Sequence, residues 1–131
     1  MEFKSFGFSD VGKVRSHNED SYLCNPQHRL FVVADGMGGL SKGDIASRIA
    51  VETVNQFISE SRVADITWPI KPQVQYSTEE NRFLAAISLA NWGVYSEFLK
   101  GGRNSAMGTT LVGLLVDEQA AVITNVGDSR V

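Results

Sequence analysis

Apolar residues recur at strand spacing towards both ends of the chain and at helical spacing between them. Lys4 to Ser9 alternates weakly, which predicts a short strand, and Asp10-Val11-Gly12-Lys13 reads as a tight turn. A polar, charged run, Val14 to Asp20, leads into Ser21-Tyr22-Leu23-Cys24, and Asn25-Pro26-Gln27 turns the chain into a second strand, Arg29 to Ala34. Paired as an antiparallel hairpin, these two strands put Asp20 at the start of one and Asp35 at the end of its neighbour, at the same end of the sheet. Residues 43–60 carry Ile45, Ile49, Val54, Phe57 and Ile58 at near-helical spacing and predict a helix. Residues 61–76 hold no period and include Pro69 and Pro72, which predicts a long loop. Ser77-Thr78-Glu79-Glu80 is a capping box opening a second helix to about Lys100, where Gly101-Gly102 stops it. Thr109 to Val116 and Ala120 to Val126 form a further hairpin, Gly127-Asp128-Ser129 turns the chain, and Arg130-Val131 looks like the opening of another strand. The expected class is α+β, with helices packed on a mostly antiparallel sheet. No residue closes the final edge, so the chain is expected to stop short of a complete sheet.

Composition narrows the partners. The chain has 131 residues, 43% of them hydrophobic, enough for one domain with a core. A net charge of −3 argues against nucleic acid or an anionic membrane as the main partner. No apolar run reaches the roughly 18 residues of a membrane span, and the N-terminus lacks the pattern of a signal peptide. The single cysteine, Cys24, forms no internal disulfide, which fits a reducing, cytoplasmic setting.

The stretch Phe31 to Gly39 organises the rest. Four apolar residues run into Asp35, and glycines follow. An aspartate where a buried strand emerges is held rigidly yet open to a ligand, and glycines let a metal or phosphate approach the backbone. Asp20 and Asp128 share that context. An oxygen-only set of this kind suits Mg²⁺ or Mn²⁺, whereas His17, His28 and Cys24 fall in no zinc spacing. Arg15, five residues before Asp20, is placed to bind a phosphate through its planar guanidinium. Each signal has a plainer explanation: an aspartate after a strand caps a turn or helix, a lone arginine is a solvated charge, and Ser105 to Thr110 is a tight entry to a strand. Two nucleotide-loop matches fail. Val14 stands where the phosphate loop needs Ser or Thr after Gly7 to Lys13, and Ser41 stands where the dinucleotide fingerprint needs glycine.

Four blocks, taken in order, resemble the metal-dependent type 2C protein serine/threonine phosphatases in their bacterial form. They are Gly12-Lys13-Val14-Arg15-Ser16-His17-Asn18-Glu19-Asp20, Val33-Ala34-Asp35-Gly36-Met37-Gly38-Gly39, Ser105-Ala106-Met107-Gly108-Thr109-Thr110 and Val126-Gly127-Asp128-Ser129-Arg130. The resemblance implies a β-sandwich flanked by helix pairs. It implies that Asp35 bridges two Mn²⁺ or Mg²⁺ ions, that the Gly36 carbonyl is a ligand to one, and that Glu19 and Asp20 hold a metal directly or through water. It implies further that Arg15 binds the substrate phosphate, that Asp128 contributes to a third, weaker metal, and that a metal-bridging hydroxide attacks phosphorus without a phosphoenzyme. The chain departs from the family pattern at Leu40 and Asp44, where many members carry His and Glu. The family's later aspartates are absent.

The expectation is therefore that residues 1–131 form the N-terminal part of a single phosphatase domain whose C-terminal part is absent. The parent would hydrolyse phosphoserine and phosphothreonine on proteins, opposite a serine/threonine kinase in the cytoplasm. The isolated chain would be inactive and prone to self-associate. A non-catalytic binding module of the same fold, or a phosphatase of a sigma-factor regulatory switch, are the alternatives.

Overall fold

The computed structural model describes residues 3–39, 42–102 and 106–131. Leu40 and Ser105, which entered the sequence comparison, lie outside the described residues. In chain order the elements are β1 (Asp20–Asn25), β2 (Leu30–Gly38), α1 (Lys42–Val63), α2 (Thr78–Lys100), β3 (Met107–Thr109), β4 (Leu111–Val116) and β5 (Ala121–Val126). The strands form one antiparallel sheet in the order β1-β2-β4-β5, with β3 pairing the far end of β2. Both helices cover one face, so the α+β class holds, and the described residues supply one sheet and one helix pair of the expected sandwich.

The alternation of each strand decides which side chains meet the helices. Leu30, Val32 and Ala34 of β2 and Leu111 and Leu115 of β4 point inwards and are buried, while Tyr22, Val33 and Ile123 on the other face are 44–58% exposed. α2 brings Phe83 down onto Gly113, where even a β-carbon would lie 2.5 Å from the ring. α1 seats itself through Ala46, Ala50, Val51 and Val54, with Phe57 and Ile58 further along. Its buried stripe is thus rotated from the predicted one, since Ile45 and Ile49 are only half-buried. The reason is steric: small alanines let the start of α1 approach β2 closely, and bulky isoleucines do not.

Three further expectations are corrected. Lys4 to Ser9 forms no strand, because among the described residues no neighbour pairs with it in a ladder; Gly7 instead lies against the Tyr22 ring, and Phe6 and Phe8 are exposed. Arg130-Val131 likewise stays outside the sheet. The predicted strand over 109–116 is broken at Thr110 into β3 and β4. The loop between the helices is also less idle than its lack of period implies. Ile66, Trp68 and Ile70 pack against the core, with Trp68 edge-on to Phe57 at 5.8 Å between centroids. Among the described residues no helix is long and apolar enough to cross a membrane.

Candidate metal centre

Antiparallel pairing brings the first candidate residues together. The β1–β2 register sets Asp20 directly across from Asp35. The chain is held on its way in: Asn18 accepts the Asp20 N–H at 3.0 Å and donates to the Ser9 hydroxyl at 2.7 Å, and the Gly36 N–H donates to the Glu19 carbonyl at 3.0 Å. Asp20 and Asp35 therefore meet at one rim of the sheet, as the hairpin reading predicts, and Glu19 and Gly36 lie next to them.

Glycines bring α1 to the same rim. A β-carbon on Gly36 would fall 2.0 Å from the Gly43 carbonyl oxygen, and one on Gly43 would lie 2.7 Å from the Glu19 carboxyl. Without side chains at either position, the first turn of α1 docks on the end of β2, and the Glu19 carboxylate rests beside it. One residue on, Asp44 has a buried Oδ1 with no hydrogen-bond partner among the described residues. From the sequence, Asp44 reads as a polar-face residue of the helix and a departure from a motif, and Gly43 as no more than the start of that helix. A glycine in the first turn of an otherwise unbroken helix was the available signal.

Electrostatics mark the same spot. Partial loss of water raises the pKa of Asp20 above its ordinary 3.8, the Asp35 charge and a hydrogen bond shared with the Asp35 carboxyl raise it further, and Arg15 offsets part of this. Two facing carboxylates, with the exposed Arg15 as the cation acting on Asp20, form a site short of positive charge among the described residues. That donor set, all oxygen and net negative, fits a hard divalent cation. No group of three His, Cys, Asp or Glu side chains converges tightly enough to hold a metal by itself among the described residues. Asp128 lies in the turn after β5, and the hydroxyl of its neighbour Ser129 lies 2.6 Å from that of Thr110. His17 is exposed, with its ring beside the Ser16 hydroxyl at 2.9 Å.

The sequence profile of the protein phosphatase 2C family matches residues 13–131. The chain belongs to that family. Among phosphatase 2C relatives, the serine/threonine phosphatase stp of Listeria monocytogenes is 32% identical over 126 residues, covering 93% of this chain and 46% of its own length. The serine/threonine protein phosphatase PstP of Mycobacterium tuberculosis is 28% identical over 122 residues, 93% of this chain and 21% of its own. The solved catalytic domain of PstP in complex with two manganese ions superposes with a TM-score of 0.75 at 28% identity, over 94% of this chain and 47% of that one. PppA of Pseudomonas aeruginosa gives 0.72 at 32% identity with the same coverage. The chain spans about half the length of the stp relatives it matches. As a phosphatase 2C fold, it contributes one sheet, one helix pair and the carboxylate rim.

Proposed function

We propose that the protein to which this chain belongs is a metal-dependent phosphatase acting on phosphoserine and phosphothreonine in proteins, with the rim of Asp20 and Asp35 as its metal-binding edge. The observation that carries this reading is the direct pairing of Asp20 with Asp35 across the hairpin, with the Arg15 charge acting on Asp20 and a glycine-cleared backbone next to the pair. Asp35 would bridge two Mn²⁺ or Mg²⁺ ions, Asp20 and Glu19 would complete the near side, and the Gly36 carbonyl would add a neutral oxygen. Asp128 would serve a third ion. When bound, such ions supply Lewis acidity, lowering the pKa of water and neutralising charge on the transferring phosphoryl group. The rest falls to this chain's own groups. Arg15 offers the planar fork that grips a phosphate and orients it over the carboxylates. The short ties of Asn18 keep Asp20 and Glu19 from drifting as a dianionic substrate approaches.

Residues 1–131 would then form the N-terminal part of the catalytic domain, working opposite a serine/threonine kinase in the cytoplasm. The similarity of bacterial serine/threonine phosphatases over nearly the whole chain supports this choice of substrate over other phosphomonoesters. The test is a calorimetric titration of the chain with Mn²⁺ beside an Asp35→Ala variant. Saturable heat from the first and none from the second is expected. Equal heats remove Asp35 as a ligand and leave a binding module of the same fold as the better reading.

A further inference from the structure

At the rim, one residue departs from regular sheet pairing without shifting the register. Val33 pairs with Val112 and Gly36 pairs with Thr109, so Asp35 falls opposite Thr110 with no residue inserted or lost. Half of that pair is ordinary: the Thr110 N–H donates to the Asp35 carbonyl at 2.9 Å. The other half is not. The Asp35 N–H turns from the Thr110 carbonyl to the Thr110 hydroxyl at 3.0 Å, and the carbonyl accepts from the Thr109 hydroxyl instead at 2.8 Å. A side chain here stands in for the main chain.

The same side chain also holds the turn after β5. The Thr110 Oγ1 lies 2.6 Å from the Ser129 Oγ, a hydrogen bond in which either group can donate. Its methyl packs on Gly127, which has φ +95° and whose β-carbon would sit 2.8 Å from the Thr110 Cγ2. Asn125 closes the turn from the other side by donating to the Ser129 carbonyl. Thr110 thus touches the residues on both sides of Asp128 and the amide of Asp35, and it is buried. Neither Ser nor Val provides both contacts: one lacks the methyl, the other the hydroxyl.

We infer that Thr110 is a positioning residue, locking the Gly127–Ser129 turn to the main chain of Asp35 so that the Asp35 and Asp128 carboxylates are presented at a fixed separation. The inference rests on the reading of Asp35 as a metal ligand for its functional meaning, whereas the lock itself is made of this chain's own hydrogen bonds. Groups that orient ligands in this way typically change metal affinity about 10–100-fold when removed.

The experiment compares Thr110→Val, Thr110→Ser and Ser129→Ala with the unaltered chain by Mn²⁺ calorimetry and by metal-free amide NMR. Thr110→Val is expected to weaken Mn²⁺ binding about tenfold or more, to speed exchange of the Asp35 amide, and to shift the resonances of residues 127–129 together with it. Thr110→Ser keeps the hydroxyl and should restore most of the affinity, a rescue that a loss of stability alone would not produce. Ser129→Ala cuts only the link to the turn: residues 127–129 should shift while the Asp35 amide stays protected. Unchanged Mn²⁺ affinity in folded Thr110→Val overturns the inference. If the unaltered chain and Asp35→Ala both fail to bind Mn²⁺, the metal reading falls, and NMR decides the lock alone. Resonances of 127–129 that ignore both Thr110 variants and Ser129→Ala would then end it.

Discussion

The two ends of α1 treat charge in opposite ways. At its C-terminal end, Arg62 donates to Glu79 at 2.8 Å and to the His28 carbonyl at 2.5 Å. Arg82 donates to the other Glu79 oxygen at 3.2 Å and to Ser61, and lies over the Trp68 ring at 5.4 Å. One carboxylate sits between two guanidiniums, the side chains are only 10–19% exposed, and carbonyls take up remaining donors. At its N-terminal end, Asp20 faces Asp35 and, among the described residues, Arg15 is the cation that draws against their repulsion. The first cluster is complete as it stands; the second is an arrangement that folding alone does not favour. A compensated cluster joins β1–β2 turn, loop and helices, whereas an uncompensated one is where a charged ligand gains most by binding.

Breaking the complete end should cost the most. Glu79→Ala leaves two arginines largely out of water with no anion between them, and removing one partner of such a group costs about 2–3 kcal/mol when some water still reaches it. A urea titration should show the midpoint fall with the slope unchanged. A loss below about 0.5 kcal/mol, the level of an exposed ion pair, would mean that this network is surface decoration and that the contrast between the two ends is false.

The open end should respond with the opposite sign. In chelator at neutral pH, Asp20→Asn relieves like-charge repulsion across the β1–β2 pair and should stabilise the chain by about 0.5–1 kcal/mol. In Mn²⁺ the order should reverse, because a ligand at a hundredfold its dissociation constant adds about 2.7 kcal/mol to a chain that binds it. Melting each protein with and without Mn²⁺ gives all four values. If Asp20→Asn destabilises the metal-free chain, the carboxylate pair is held by contacts rather than strained by charge.

The two ends also differed in how legible they were. The Asp20–Asp35 pairing followed from strand lengths and the Asn25-Pro26-Gln27 turn, because hairpin register is a local matter. The capping box at Ser77 was equally local. Arg62, Glu79 and Arg82 carry no such signal: Arg62 falls in the stretch read as a loop, Glu79 and Arg82 in the second helix, and nothing links the three until α1, which runs on to Val63, docks against α2. Thr110 was hidden for a related reason. Its β-branched side chain suits a strand, and nothing in Thr109-Thr110-Leu111 says that its hydroxyl, not its carbonyl, will meet Asp35. The buried stripe of α1 was misplaced because alanines at 46 and 50 weigh little in a hydrophobic pattern yet decide how near a helix can come. Lys4 to Ser9 alternated like a strand, but alternation cannot supply the neighbour that a ladder requires.

The smallest expected effect lies one residue from Glu79 and sharpens the distinction further. Glu80 accepts the Ser77 N–H at 2.7 Å while the Ser77 hydroxyl accepts the Glu80 N–H at 3.2 Å. The Ser77 N–H, and after it the Ser77 hydroxyl, hold the Glu80 carboxyl below its ordinary pKa of 4.5. A carboxyl lowered on folding contributes stability that is present above its unfolded value and lost as pH falls through the folded one. Glu80→Gln keeps an acceptor but no charge. The unaltered chain should therefore melt slightly above Glu80→Gln at pH 6, and the gap should close on acidification below 4.5. Asp117, also lowered by N–H groups of its own turn, is common to both proteins and cancels in the difference. A gap independent of pH would show that the ionised form gains nothing from the cap, and that charge compensation ends with the arginine pair rather than running into the first turn of α2.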